Sequence, residues 1–128
     1  MKINLEDLNE AYLSSQSACV RTLPNGIFNA LLIDAEISYS KNNIRQIKWV
    51  FESEMSFKRL GTTTKEMELS EMSMPYLKSD LETLGISVYD LNELHEILPN
   101  LIGSIIEIEI DDDPAEDYHR VDFIKKVS

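Results

Sequence analysis

Half of the positive charge of this chain sits in one window. Lys41, Arg45, Lys48, Lys58, Arg59 and Lys65 fall between residues 41 and 65, opposed there only by Glu52 and Glu54, out of twelve lysines and arginines in 128 residues. Aromatic rings accompany them: Tyr39 just before the window, Phe57 within it, and Tyr118 further on beside Arg120. Cations that hold phosphates, with flat side chains on which bases stack, are the two ingredients of sequence-tolerant single-strand binding. The candidate nucleic-acid contacts are therefore Tyr39, Lys41, Arg45, Lys48, Phe57, Lys58, Arg59, Lys65, Tyr118 and Arg120. The competing reading is structural. Each cation belongs to a solvated face and each ring packs a core, which is the commoner fate of any single such residue.

The remaining charge points elsewhere. The net charge is −11, against simple charge-driven binding to nucleic acid or anionic lipid. Residues 1–64 carry seven basic and seven acidic side chains, and residues 65–128 five against sixteen. Asp111, Asp112, Asp113, Glu116 and Asp117 crowd one short stretch. Calcium loops alternate their acids around a fixed glycine, whereas three aspartates here are contiguous and Pro114 follows, so the spacing does not fit a metal loop. The stretch reads as a solvated hairpin tip. Its alternative role is to present negative charge to a basic protein surface, as a host-directed inhibitor or nucleic-acid mimic does.

Other chemistry finds little support. His95 and His119 have no further ligand at metal spacing, and Cys19 lacks a catalytic context. There is no glycine-rich phosphate loop and no nucleophile elbow. Neither an enzyme nor a cofactor is expected. One cysteine excludes an internal disulfide framework, and no apolar run is long enough to span a bilayer.

The elements that must position these residues follow from periodicity. Leu5, Leu8 and Tyr12 have helical spacing in an N-terminal arm, residues 1–22, which reads as a strap on the domain or as an oligomerisation segment. Leu23-Pro24-Asn25-Gly26 is a turn. Ile27 to Tyr39 is a long apolar strand, and a bulge at Asp34 would turn that carboxylate outward. Ser40-Lys41-Asn42-Asn43 is a second turn. Ile47, Trp49 and Phe51 then alternate with polar neighbours in a two-faced strand. Phe57 to Leu69 is a third strand. Ser73 opens a helix with Leu77, Leu81 and Leu84 on one stripe and Gly85 at its end. Asp90 opens another, with Leu91, Leu94 and Leu98, stopped by Pro99. Leu101 to Ile110 and Tyr118 to Lys126 complete five strands, with the acidic loop between them. Three strands, a helical insertion and two strands is the element order of an OB-fold, a mainly β five-stranded Greek-key barrel. Residues 23–128 form that domain.

The same residues carry a family resemblance. Leu23-Pro24-Asn25-Gly26-Ile27-Phe28, Ala35-Glu36, Ser40-Lys41, Ile47-Lys48-Trp49-Val50-Phe51-Glu52, Leu77 to Gly85, Leu101-Ile102-Gly103 and Tyr118-His119-Arg120-Val121 are matching pieces. In them the chain resembles a phage-encoded family, long described as a domain of unknown function, that is similar to OB-fold single-stranded-DNA-binding proteins. The resemblance implies a replication or recombination accessory in a bacterial host's cytoplasm, with single-stranded DNA and a phage or host replication protein as partners. It also implies that Phe28, Ile47, Trp49 and Phe51 face the core.

Overall fold

The long strand read from the sequence is the centre of the sheet. The computed structural model describes residues 4–14, 20–54, 59–116 and 118–128. Its elements run α1 (Glu6–Ser14), β1 (Val20–Thr22), β2 (Gly26–Tyr39), β3 (Arg45–Glu54), β4 (Leu60–Glu68), α2 (Met74–Thr83), a 3-10 turn (Leu91–Glu93), α3 (Leu94–Leu101), β5 (Ile105–Asp113), a 3-10 turn (Pro114–Glu116) and β6 (Tyr118–Lys126). The strands form one sheet in the order β1-β4-β3-β2-β5-β6. The five long strands pair antiparallel, and β1 adds parallel to β4. The protein is thus mainly β, an open sheet with helices.

Strand β2 divides its length between two neighbours. Its first half pairs with β5, Gly26 to Leu31 against Ile110 to Ile105. Its second half pairs with β3, and the register shifts between Leu32 and Asp34. The extra residue places Asp34 on the exposed surface, as the sequence reading required of an unpaired carboxylate. Strand β3 is the clean case of period two: Ile47, Trp49 and Phe51 are buried, and the residues between them face outward. Leu77, Leu81 and Leu84, with Leu94, Leu98 and Leu101, close the core from the helical side. Trp49 and Phe51 both pack against Phe123 in T-shaped ring pairs. Burial of side chains this size contributes about 1.5–3 kcal/mol each.

Several boundaries differ from the sequence reading. The sheet has a sixth strand: Val20–Thr22 of the arm pairs with Leu60 to Thr62, and Leu23 continues it by donating to the Thr62 carbonyl. Pro99 does not stop its helix. It sits inside α3, which continues to Leu101, and the chain turns at Gly103, where φ is +97°. Strand β5 accordingly starts at Ile105, and it runs through all three aspartates, so that Asp111, Asp112 and Asp113 pair with Arg120, His119 and Tyr118. They are strand residues rather than loop, and Asp111 and Asp113 remain exposed to solvent. Finally, Val20–Thr22 of the arm is laid on the sheet, whereas the apolar residues of α1, Leu5, Leu8, Tyr12 and Leu13, are exposed. No helix among the described residues is long and apolar enough to cross a membrane.

Candidate functional site

The β2–β3 turn holds the best-formed group of candidate contacts. Ser40 builds it: its N–H donates to the Ile44 carbonyl at 2.8 Å, and its Oγ accepts from the N–H groups of Asn42 and Ile44. Asn43 takes the left-handed conformation, φ 58°, which asparagine tolerates better than most residues. Lys41 is exposed on this turn. Tyr39 and Arg45 lie directly opposite each other at the strand ends, and both are exposed, Tyr39 by 69%. Beside them opens a cleft of about 500 Å³ whose walls include Leu69, Met74, Leu94 and His95. From Ile37 to Phe51 the chain carries no carboxylate. An exposed ring, an arginine and a lysine thus share one end of the sheet.

The outer face of β3 and β4 is different. Lys48 lies between Glu36 on β2 and Glu66 on β4 in one cross-strand row, with its Nζ 3.9 Å from Glu66. The neighbouring rows add Glu68 opposite Gln46, Glu52 opposite Thr62 and Glu54 opposite Leu60. The charge that clusters in sequence does not cluster on this face. Strand pairing interleaves Lys48 with acids from two other strands, which a one-dimensional count does not see.

Lys65 is withdrawn further. It shares the inward face of β4 with Thr63 and stands opposite Trp49. Its Nζ donates to the Val121 carbonyl at 2.7 Å, lies 3.2 Å from Asp80 Oδ2 in an ion pair, and sits 4.8 Å above the Phe123 ring. Burial pushes the Asp80 carboxyl up, and the Lys65 charge offsets only part of that shift. Lys65 is therefore an interior cation joining β4, β6 and α2 rather than a phosphate contact. Arg59 is exposed just before β4. Phe57, Lys58 and Asp117 lie outside the described residues, as does Cys19.

Tyr118 and Arg120 occupy the opposite end of β2 from Tyr39. Tyr118 pairs with Asp113 near Gly26, and the thirteen-residue step from Gly26 to Tyr39 corresponds to about 40 Å along the strand path. The two groups are not one contact surface. Arg120 Nε donates to Asp122 Oδ2 at 2.8 Å. Its pKa is raised by a hydrogen bond to Tyr118 first and by Asp122 next.

Of the acidic candidates, Asp112 is the most engaged. Its N–H donates to Asn25 Oδ1 at 2.8 Å and its carbonyl accepts from Asn25 Nδ2 at 3.0 Å, so the asparagine amide extends the β2–β5 ladder by one pseudo-residue. Its carboxylate accepts from His119 Nδ1. His119 Nε2 in turn contacts the Thr64 carbonyl at 2.6 Å. Asp113 Oδ1 accepts from the Ala115 N–H and caps the 3-10 turn, while Asp111 and Glu116 are exposed. Among the described residues no group of three His, Cys, Asp or Glu side chains is placed to hold a metal ion.

Sequence reasoning missed three features. Asp80 as the counter-ion of Lys65 has no local signal, because the two are brought together only by the docking of α2. Asn25 was read as a turn residue, and its side-chain bonds depend on β5. An outward apolar group, Leu31, Leu60 and Ile105, lines a depression with Glu52 and Glu54. The two-sided apolar character of residues 27–39 was its trace. The chain matches no known family model and no curated protein.

Proposed function

We propose that this chain is an OB-fold-like module that binds single-stranded DNA, as a phage-type accessory of replication or recombination, through the end of the sheet formed by the β2–β3 turn. One observation carries the reading: Tyr39 and Arg45 are exposed and in direct register beside the exposed Lys41, and residues 37–51 of the chain carry no carboxylate. A ring for a base and two cations for flanking phosphates is the minimal single-strand contact. The fold assignment draws support from the order β4-β3-β2-β5-β6 and from the side-chain links that reach from β4 to β6, Lys65 to the Val121 carbonyl and His119 to the Thr64 carbonyl. In a five-stranded Greek-key barrel these two strands close on each other; here β1 occupies that side of β4 at Leu60–Thr62, and the two links lie beyond it. The family resemblance of residues 23–126 supports the same class. Titration of a fluorescent oligo-dT into the protein at low salt tests it. Saturable binding, stronger than for duplex, is expected, and no binding at roughly 50 µM protein overturns it.

A second reading is favoured by a separate observation. The outer face of β3–β4 and the β5–β6 hairpin carry carboxylates in consecutive rows, with Lys48 flanked by Glu36 and Glu66. On this reading the chain is an acidic protein-interaction module. Pull-down from a host lysate with wild-type and Asp111→Asn/Asp113→Asn protein separates the two readings, because partner capture lost on neutralisation belongs to the second alone.

A further inference from the structure

The outer face of the sheet holds an apolar island inside an acidic ring. Leu31 on β2 lies directly between Ile105 on β5 and Glu52 on β3. Leu60 on β4 lies opposite Glu54. These side chains, with Asn29 and Ser53, line one shallow depression of about 360 Å³. Leu31, Leu60 and Ile105 are each about two-fifths exposed, and Ile27, on the same face two positions beyond Asn29, is 60% exposed. Around them the register sets Glu107 opposite Asn29 and Glu109 opposite Ile27, completing a ring with Glu52 and Glu54. Two cations adjoin the ring, Lys125 opposite Glu107 and the exposed Arg59 just before Leu60.

Exposed apolar side chains gathered in a concave patch lose free energy to water until something covers them. What can cover this one is restricted by the ring. A second copy packed through the same face would bring its own carboxylates against four glutamates, and a nucleic-acid backbone would bring phosphates; both are opposed by like charge. We infer that this depression docks a cationic amphipathic segment of a partner protein, with apolar side chains seated on Leu31, Leu60 and Ile105 and lysines or arginines reaching Glu52, Glu54, Glu107 and Glu109. The inference deepens the acidic-module reading and gives it a defined surface, one that runs along β5 from Ile105 through Glu107 and Glu109 toward the three aspartates. It is compatible with DNA held at the β2–β3 turn.

The test uses the full chain and two labelled peptides of roughly 18 residues, long enough to form a helix on a surface. One places leucines at helical spacing among lysines. The other has the same lysines with every leucine replaced by serine. The docking surface predicts that the leucine peptide binds at least roughly tenfold more tightly than the serine peptide. Leu31→Ser/Ile105→Ser removes that preference. Glu52→Gln/Glu54→Gln, which leaves every apolar side chain in place, weakens the leucine peptide by a similar factor, whereas Glu82→Gln/Glu96→Gln on the helices does not. Equal binding of the two peptides overturns the inference, and if that binding depends on Asp111 and Asp113 the acidic-module reading survives it. A dimer seen in sedimentation that Leu31→Ser dissolves also overturns it, because the patch is then covered by a second copy.

Discussion

Asp112 and His119 face each other across the β5–β6 ladder, carboxylate Oδ1 to imidazole Nδ1 at 2.5 Å. The other ring nitrogen meets the Thr64 carbonyl on β4. Neither a carboxylate nor a carbonyl can donate, so both ring nitrogens must, and the histidine that makes both bonds is an imidazolium. It ties β6 to β4 across the edges that no backbone ladder joins among the described residues.

Stability should therefore fall as pH rises past the ordinary histidine range. Burial alone would lower the His119 pKa; the Thr64 carbonyl, the Asp112 carboxylate and the more distant Glu66 outweigh it and leave the value raised above 6.5. A folded-state pKa above the unfolded one gives stability that is complete below about 6.5 and is lost as pH climbs through the raised value. The contribution is at most about 1 kcal/mol, because the site is half open to solvent. Thermal melts of wild type and His119→Gln across this range check it: the wild-type advantage at low pH should shrink toward pH 8.

Lys65→Met should destabilise the fold without acting on a ligand site. It strands Asp80, whose side chain is only 15% exposed, without its counter-ion. Orphaning one member of a largely buried pair costs about 2–4 kcal/mol, and replacing both with apolar residues recovers much of it. Urea denaturation of Lys65→Met and Lys65→Met/Asp80→Leu gives the comparison. Full stability of the single variant would remove Lys65 from its structural role.

Asn25→Ala should cost about 1–2 kcal/mol, the net worth of two hydrogen bonds to the Asp112 main chain. Asn25→Asp should lose part of the same amount, since a carboxylate cannot donate to the Asp112 carbonyl. A shift of the urea midpoint without a change in slope is the expected readout.

The fold was legible where one face of an element is buried and the other is not. Ile47, Trp49 and Phe51 declared β3 by alternation, which left open the face that Trp49 takes; it is core, as the family resemblance implied. Gly85, with φ +77°, ended α2 where its freedom was needed. Boundaries failed where a local signal was overridden from outside. Pro99 is the sixth of the eight residues of α3, past the N-terminal turn that would tolerate it, and the helix continues because Leu94, Leu98 and Leu101 are buried in the core on either side of it; the aspartates of β5 are held in the strand by β6 and Asn25. The candidate site was legible only in its local part. Tyr39, Lys41 and Arg45 are neighbours in sequence and in space. Lys48 and Lys65, counted with them in sequence, are separated by strand register and by the inward turn of alternate residues.

Tyr39 and Tyr118 make the two ends of β2 distinguishable in solution. Tyr39→Ala should weaken oligo-dT binding by about 1–3 kcal/mol, the range for one stacked base, and Tyr118→Ala by much less. Equal effects in fluorescence anisotropy would place the contact elsewhere.

The most direct measurement is the salt dependence of oligo-dT affinity for wild type and for Lys41→Glu/Arg45→Glu. Each phosphate contact contributes about −0.7 to the slope of log affinity against log salt for a single strand. The β2–β3 turn as the site predicts a wild-type slope of roughly −1.5 to −2, reduced by about 1.4 in the double variant, with Lys48→Glu close to wild type. A wild-type slope near zero, or one that Lys48→Glu diminishes and the double variant does not, contradicts it.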